Sequence, residues 1–231
     1  MGPARADRGL VHEPRCLDHR VLLEPRIVVA AALLVLAACD GGGEAPAADP
    51  SPAATAARAE ANAEEIATGF VEAVGAFDAG RAVTYLAEDA EVPEGLLAEE
   101  LPVLISFYEA QGYKQMLDPC EVTGSSASGT SVRCTYDFHA IRSDEIGVGP
   151  FHGSYWDLTV RDGEIVGAMQ NWETEEFSPQ VWEPFAEWVS TTYPKDFEVM
   201  YTGGGTNFRL SEESIRLWGH YTREYVKEVR D

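Results

Sequence analysis

The chain has 231 residues, of which 45% are hydrophobic, and its formal net charge is −22. So acidic a composition argues against nucleic acid as a partner and against electrostatic adhesion to anionic lipid head groups, because both depend on basic side chains. All five tryptophans lie beyond residue 57, where the chain is long enough for one domain with a sizeable core.

The first notable segment is an apolar run, residues 27–38, that ends in Leu36-Ala37-Ala38-Cys39. A run of about 12 residues suits the apolar region of a signal peptide, whereas a membrane-spanning helix needs roughly 20. The four residues resemble the lipobox of bacterial lipoproteins, whose cysteine is lipidated. The resemblance implies that residues 1–38 are a signal peptide and that Cys39 anchors the protein to the extracytoplasmic face of the cell membrane.

Residues 39–57 are rich in glycine, alanine and proline. Such a composition builds no core, and it predicts a flexible linker between the anchor and the domain of residues 58–231.

The four cysteines divide by position. Cys16 lies in the predicted signal peptide and Cys39 is the predicted lipid site, which leaves Cys120 and Cys134. In an exported protein this pair predicts a disulfide, which closes a loop and stabilises the fold by about 3 kcal/mol in the chain-entropy model. The sequence has no CxxC spacing here and no flanking histidine, so neither a redox pair nor a metal site is expected.

Apolar residues recur at helical spacing in three segments of the domain. The predicted helices span residues 57–77, 81–86 and 101–111. An alternating pattern then predicts four antiparallel strands, at residues 113–122, 131–141, 151–161 and 164–173.

The sequence Asp162-Gly163 is typical of a two-residue turn and sets the register of the last two strands. The predicted pairs are Val160 with Ile165, Leu158 with Gly167, Trp156 with Met169, Ser154 with Asn171, and, between the second and third strands, Tyr136 with Trp156 and Phe138 with Ser154. All of these residues are expected on one face of the sheet.

Two further helices are predicted after the sheet. Ser178 and Pro179 are typical of a helix start, with the serine as the cap and the proline in the first turn. The last helix is expected to begin at Ser211.

Three segments carry a family resemblance. They are the helix and turn of residues 70–82, the acidic exit Tyr85-Leu86-Ala87-Glu88-Asp89-Ala90, and the hairpin of residues 153–165. Together they resemble NTF2-like (SnoaL-like) domains over about residues 62–174. The resemblance implies an α+β cone in which N-terminal helices pack on a curved antiparallel sheet around a pocket, here with extra C-terminal helices. Some NTF2-like proteins are isomerases, cyclases or dehydratases, and many only bind or assemble.

The predicted register places a candidate pocket on the inner face of the sheet. Its apolar floor is formed by Tyr136, Phe138, Trp156 and Met169, and its polar end by His152, Ser154 and Asn171. An apolar cavity with a few convergent polar groups suits a small molecule. The alternative is that the aromatic side chains are packed core.

Candidate catalytic groups are few. Tyr85 and Asp89 match positions that the resemblance places in the pocket, although Asp89 lies in an acidic run typical of a solvated surface. Asp137 and His139 form an acid–imidazole pair, but on the face predicted to point outward. No catalytic residue is assigned, and neither a metal nor a cofactor is expected.

Two functions remain. The favoured one is a non-catalytic module that binds a small hydrophobic ligand or a cell-envelope protein. The alternative is an enzyme of the SnoaL or ketosteroid-isomerase type with a pocket acid or base. A homodimer is also possible through the outer sheet face, where Val166, Ala168 and Trp172 are predicted, unless the C-terminal helices cover it.

Overall fold

The structure, a computed structural model, describes residues 51–231. The predicted signal peptide, the lipid site Cys39 and linker residues 39–50 lie outside the described residues. Linker residues 52–57 belong to the first helix, which begins at Pro52 under a cap from the Ser51 side chain. None of the helices within residues 51–231 is long and apolar enough to span a membrane.

The described chain contains six α-helices and eight strands, together with a π-helix, Ser178–Trp182, and two short 3₁₀ helices, Ser143–Ile146 and Gly203–Gly205. The α-helices are α1 (Pro52–Gly75), α2 (Ala79–Val83), α3 (Leu101–Ala110), α4 (Glu183–Thr192), α5 (Pro194–Met200) and α6 (Glu212–Arg230). The strands are β1 (Leu86–Glu91), β2 (Lys114–Leu117), β3 (Glu121–Ser126), β4 (Gly129–His139), β5 (Phe151–Arg161), β6 (Glu164–Asn171), β7 (Tyr201–Thr202) and β8 (Asn207–Phe208). Strand β1 is not predicted by the sequence analysis, and the single predicted strand over residues 113–122 is divided into β2 and β3.

The main sheet has the order β1-β6-β5-β4-β2, with β3 beside β4 on the same edge as β2. All neighbours are antiparallel except β1, which runs parallel to β6. Helix α1 packs on the inner face, where Phe70 meets Trp156 edge-on with ring centroids 5.5 Å apart. The predicted fold class is confirmed: an α+β domain with N-terminal helices on a curved antiparallel sheet and further helices at the C-terminus.

The observed register differs from the predicted one by two bulges and by a shift of two residues between β4 and β5. Val160 pairs with Ile165 as predicted, but the extra residue Val166 then shifts β6 by one position, so that Leu158 pairs with Ala168 and Trp156 with Gln170. Strands β4 and β5 pair two residues away from the predicted register, since Trp156 lies opposite Cys134 and Ser154 opposite Tyr136. A second bulge, in β5, lies opposite Asp137, because Phe138 pairs with Phe151. Because strand side chains alternate, each bulge moves the residues beyond it to the opposite face.

The disulfide between Cys120 and Cys134 is confirmed. Cys120 lies in the break between β2 and β3, and Cys134 lies opposite it in β4. The bond therefore ties the interrupted edge to the central strands of the sheet.

The C-terminal segment packs on α3 rather than on the outer face of the sheet. Phe107 of α3 contacts Trp218 of α6 edge-on and stacks against Phe208, with centroids 5.1 Å and 4.3 Å away. The segment after β6 therefore closes one end of the curved sheet.

Candidate functional site

The predicted pocket floor is packed core. Tyr136, Phe138 and Trp156 are fully buried on the inner face. Phe138 alone has four aromatic neighbours besides Tyr136: Tyr113, Phe151, Trp172 and Phe177. A small molecule therefore does not enter between these side chains unless the core opens.

A polar network lies inside this aromatic core. The Tyr108 hydroxyl donates to Oε1 of Gln170 at 2.6 Å, and Nε2 of Gln170 donates to the Tyr136 hydroxyl at 2.8 Å. Burial raises the pKa of Tyr136 to about 12, so the phenol is neutral at physiological pH. Ser154 is also buried, and its Oγ accepts a bond from the Glu173 backbone N–H at 2.8 Å. These groups satisfy one another's hydrogen-bonding capacity, which explains how polar side chains are accommodated in an apolar interior.

Three predicted pocket residues lie outside the interior. Met169 is 54% exposed, and Asn171 pairs with Tyr155 on the outer face. His152 is also on the outer face, where its Nδ1 lies 2.8 Å from a carboxylate oxygen of Asp137. The bulges explain why these three side chains lie on the outer face. They turn Met169, Asn171 and His152 outward and bring Gln170 and Trp172 inward.

Neither candidate catalytic residue from the helix exit reaches the interior. Tyr85 packs against Gly69 and its hydroxyl lies 3.4 Å from Nε of Arg81. Asp89 is exposed on edge strand β1. Asp137 and His139 do not bond each other, since Nδ1 of His139 contacts the Ser143 hydroxyl and the Val148 carbonyl instead.

The apolar patch that a homodimer through the outer sheet face would need is not formed either. Trp172 packs among inner-face aromatics, 4.7 Å from Phe138 between centroids, and Ala168 is buried opposite Leu158. The outer face instead carries a bidentate ion pair, in which Nε and Nη2 of Arg133 each donate to Asp157 at 2.7 Å.

An aromatic cleft of about 220 Å³ remains where the C-terminal segment meets the curved sheet. Six aromatic side chains form most of its wall: Phe107, Tyr108, Trp172, Phe177, Trp182 and Phe208. Its polar lining consists of Gln111, Thr174, Ser178, Thr206 and Asn207. The Trp182 indole is fixed by a 2.9 Å bond from Nε1 to the Gly205 carbonyl. We call this space the aromatic cleft.

The chemistry of the aromatic cleft is that of a binding site. Among its described lining residues, Tyr108 is the only ionisable one, and burial raises its pKa further above the ordinary value. Such a wall favours an uncharged, largely apolar molecule that is oriented by a few hydrogen bonds. Within residues 51–231, no cluster of three or more histidine, cysteine or carboxylate side chains is placed to hold a metal.

Most of this cleft is not predicted from the sequence. The sequence pattern assigns Trp172 to the outer face, and Phe208 lies in a segment that carries no helical or strand period. The one available signal is the density of aromatic residues in and after the sheet.

No family model matches the chain, and no curated protein matches it. Solved structures with a similar backbone include a candidate polyketide cyclase from Xanthomonas campestris pv. campestris, at 19% identity and TM-score 0.41, over 53% of this chain and 98% of that one. A candidate polyketide cyclase from Pseudomonas putida KT2440 matches at 16% identity and TM-score 0.39, over 52% and 97%. An NTF2-like protein of unknown function from Cytophaga hutchinsonii matches at 15% identity and TM-score 0.33, over 47% and 88%. At these values the likeness concerns the fold alone.

Proposed function

We propose that this chain is a membrane-tethered, extracytoplasmic lipoprotein whose domain binds a small, uncharged, largely apolar ligand without transforming it. The aromatic cleft carries the proposal, because six aromatic side chains converge there with amide and hydroxyl groups beside them. A cell-envelope protein is the other candidate partner, but a cleft of about 220 Å³ lined mostly by aromatic side chains suits a small molecule better than a protein surface.

The absence of charge in the cleft wall favours binding over catalysis. An enzyme of the isomerase type needs an acid or base within reach of its substrate. Among the described residues of the wall, only Tyr108 ionises, and its raised pKa keeps it protonated. Asp89 and His152, the sequence-based candidates, are exposed elsewhere.

The position of the cleft also suits a tethered receptor. Glu60 in the first half of α1 lies 3.5 Å from Ser125, beside the β3–β4 turn. Trp172, which lines the cleft, follows the C-terminal end of β6. This end of the sheet is opposite to the end that carries the β3–β4 turn. The first half of α1 and the cleft therefore lie at opposite ends of the sheet, an arrangement that suits attachment before α1.

Tethering itself is proposed from the sequence Leu36-Ala37-Ala38-Cys39. The Cys120–Cys134 disulfide is consistent with export, because disulfides persist in oxidising compartments. We expect radiolabelled palmitate to be incorporated into the wild type and lost in Cys39→Ala, with the variant released from the membrane fraction. Cys16→Ala is the matched control and should keep both label and location. Equal labelling of Cys39→Ala would refute lipidation at this residue.

Ligand binding is tested with the full chain purified from its own membrane in mild detergent. Native mass spectrometry should detect a neutral small molecule bound to the wild type. Thr174→Trp places an indole in the cleft and should abolish this adduct, whereas Thr191→Trp, at an exposed site on α4, should retain it. An adduct that survives Thr174→Trp would place binding elsewhere, and a wild type without any adduct would count against the proposal.

A further inference from the structure

Phe208 divides two spaces that share their walls. The aromatic cleft and a neighbouring cleft of about 610 Å³ are both lined by Tyr108, Trp172, Asn207 and Phe208. The neighbouring cleft also reaches Gln170, the amide at the centre of the buried polar network. The one carboxylate among its described lining residues, Glu94, is exposed to solvent. The β8 strand therefore acts as a partition between them.

The Phe208 ring fills a site that suits an aromatic ligand. It stacks on Phe107 with centroids 4.3 Å apart and planes inclined by 16°, close to the offset-parallel arrangement that aromatic pairs favour. Phe208 is only half-buried, so one side of this stack meets solvent. The protein's own side chain thus occupies the place where a flat ring would gain most contact.

Phe208 lies in a short segment whose two strands are anchored unequally: Tyr201 of β7 is buried against Trp218, whereas Asn207 of β8 is exposed and Phe208 is half-buried. The segment is a ribbon of two-residue strands, β7 and β8, joined through Gly203, Gly204 and Gly205, whose φ angles are +61°, +70° and +103°. An isolated two-stranded ribbon is marginally stable, and few backbone bonds must break to move it. A displacement of the Phe208 ring can therefore be confined to β8, while Tyr201 of β7 stays packed against Trp218.

We propose that the two clefts are halves of one site, and that its ligand carries a planar uncharged ring that displaces Phe208 from Phe107. The inference rests on the ligand binding proposed above and names the ligand class. Besides the bonds to Tyr108 and Tyr136, Gln170 Oε1 can accept one more hydrogen bond and Nε2 can donate one more. A hydroxyl or carbonyl group on the ring would therefore find a partner there. The ligand binds only to molecules in which Phe208 is displaced. Its apparent affinity is therefore the intrinsic affinity multiplied by the fraction of molecules in which the site is open.

The test uses 2-naphthol, a neutral planar ring with one hydroxyl, and calorimetry on the full chain in detergent with a detergent-only blank. Phe208→Ala and Phe208→Leu should each bind 2-naphthol at least about fivefold more tightly than the wild type, since the competing ring is removed. Thr191→Ala, remote from both clefts, should bind as the wild type does. Equal or weaker binding by both Phe208 variants would overturn occupation of the site by Phe208, while an intact native adduct would leave the proposed function standing.

A second measurement needs no variant. Hydrogen exchange of wild-type residues 207–209 should become faster on saturation with 2-naphthol, because the ring leaves its stack and the bond from the Arg209 N–H to the Met200 carbonyl opens. Slower or unchanged exchange there would show that Phe208 stays in place and would overturn the inference. If 2-naphthol binds to neither wild type nor variants, the planar-ring ligand class is wrong, and the native adduct decides the proposed function separately.

Discussion

Phe208 stacks on Phe107 across the junction between the C-terminal segment and the curved sheet, with ring centroids 4.3 Å apart. Phe107 belongs to α3, one of the helices packed against the sheet, so the stack joins two parts of the chain about a hundred residues apart. Trp218 of α6 meets the same ring edge-on at 5.1 Å. The C-terminal helices are therefore part of one core with the sheet, although they follow the segment that resembles NTF2-like domains.

This shared core predicts cooperative unfolding. Trp218 is fully buried and also lies 5.0 Å from Tyr201 and 5.3 Å from Phe185 between centroids. Trp218→Ala should lower the free energy of unfolding by about 3–5 kcal/mol, through lost contacts and the cavity left behind. Denaturant titration followed by far-UV circular dichroism should still show one transition. Val229→Ala, at a half-exposed position of the same helix, is the control and should change stability by less than about 1 kcal/mol.

Two separate transitions in Trp218→Ala, with the first assigned to the C-terminal helices by hydrogen exchange, would contradict a common core. That outcome would mean that the sheet with α1–α3 folds alone.

A second prediction concerns alkaline pH. The pKa of Tyr136 is raised by burial to about 12, so the folded state holds this proton more tightly than the unfolded chain, whose tyrosines titrate near 10. The resulting stabilisation is fully present below pH 10 and is lost as pH rises toward 12. Between pH 9 and pH 11, this group alone should reduce the free energy of unfolding by about 1 kcal/mol.

Tyr136→Phe isolates this contribution. At pH 7 the variant should be less stable by about 1–2 kcal/mol, because the Nε2 donor of Gln170 loses its acceptor. Its stability should fall less than that of the wild type between pH 9 and pH 11. Phe138→Leu, a neighbouring core change without a titrating group, should lower stability but keep the wild-type pH slope. An unchanged slope in Tyr136→Phe would show that this phenol does not titrate with the fold.

The inner face was predictable from the sequence, because apolar and polar residues alternate along β4 and along residues 154–161 of β5. Val132, Cys134, Tyr136 and Phe138 alternate with polar residues, and all four are buried as expected. A strand with one buried face fixes its side-chain pattern strongly, since a shift by one residue would expose the whole apolar set.

The pocket was not predictable in the same way, because it depends on bulges. Each bulge adds one residue without changing the composition of the strand, so His152 and Met169 still fit an unbroken alternation in the sequence. Gly153, whose φ is +90°, is the one local sign of the irregularity in β5. The docking of Phe208 on α3 depends on long-range packing, which local periodicity does not encode.

A third prediction follows from the broken edge of the sheet. Asp118 and Pro119 separate β2 from β3, and a proline has no N–H to continue the ladder with β4. The Cys120–Cys134 bond holds the edge at this point and restricts the unfolded chain. Replacing both cysteines by alanine should therefore lower the free energy of unfolding by about 3 kcal/mol in the chain-entropy model.

The control for this prediction is chemical reduction. Dithiothreitol should destabilise the wild type by a similar amount, measured by denaturant titration, and should leave the double alanine variant unchanged. Because the variant carries neither thiol, any further loss in reductant would point to a different sensitive group. Equal stability of oxidised and reduced wild type would show that hydrogen bonds and burial hold the β2–β3 edge without the covalent link.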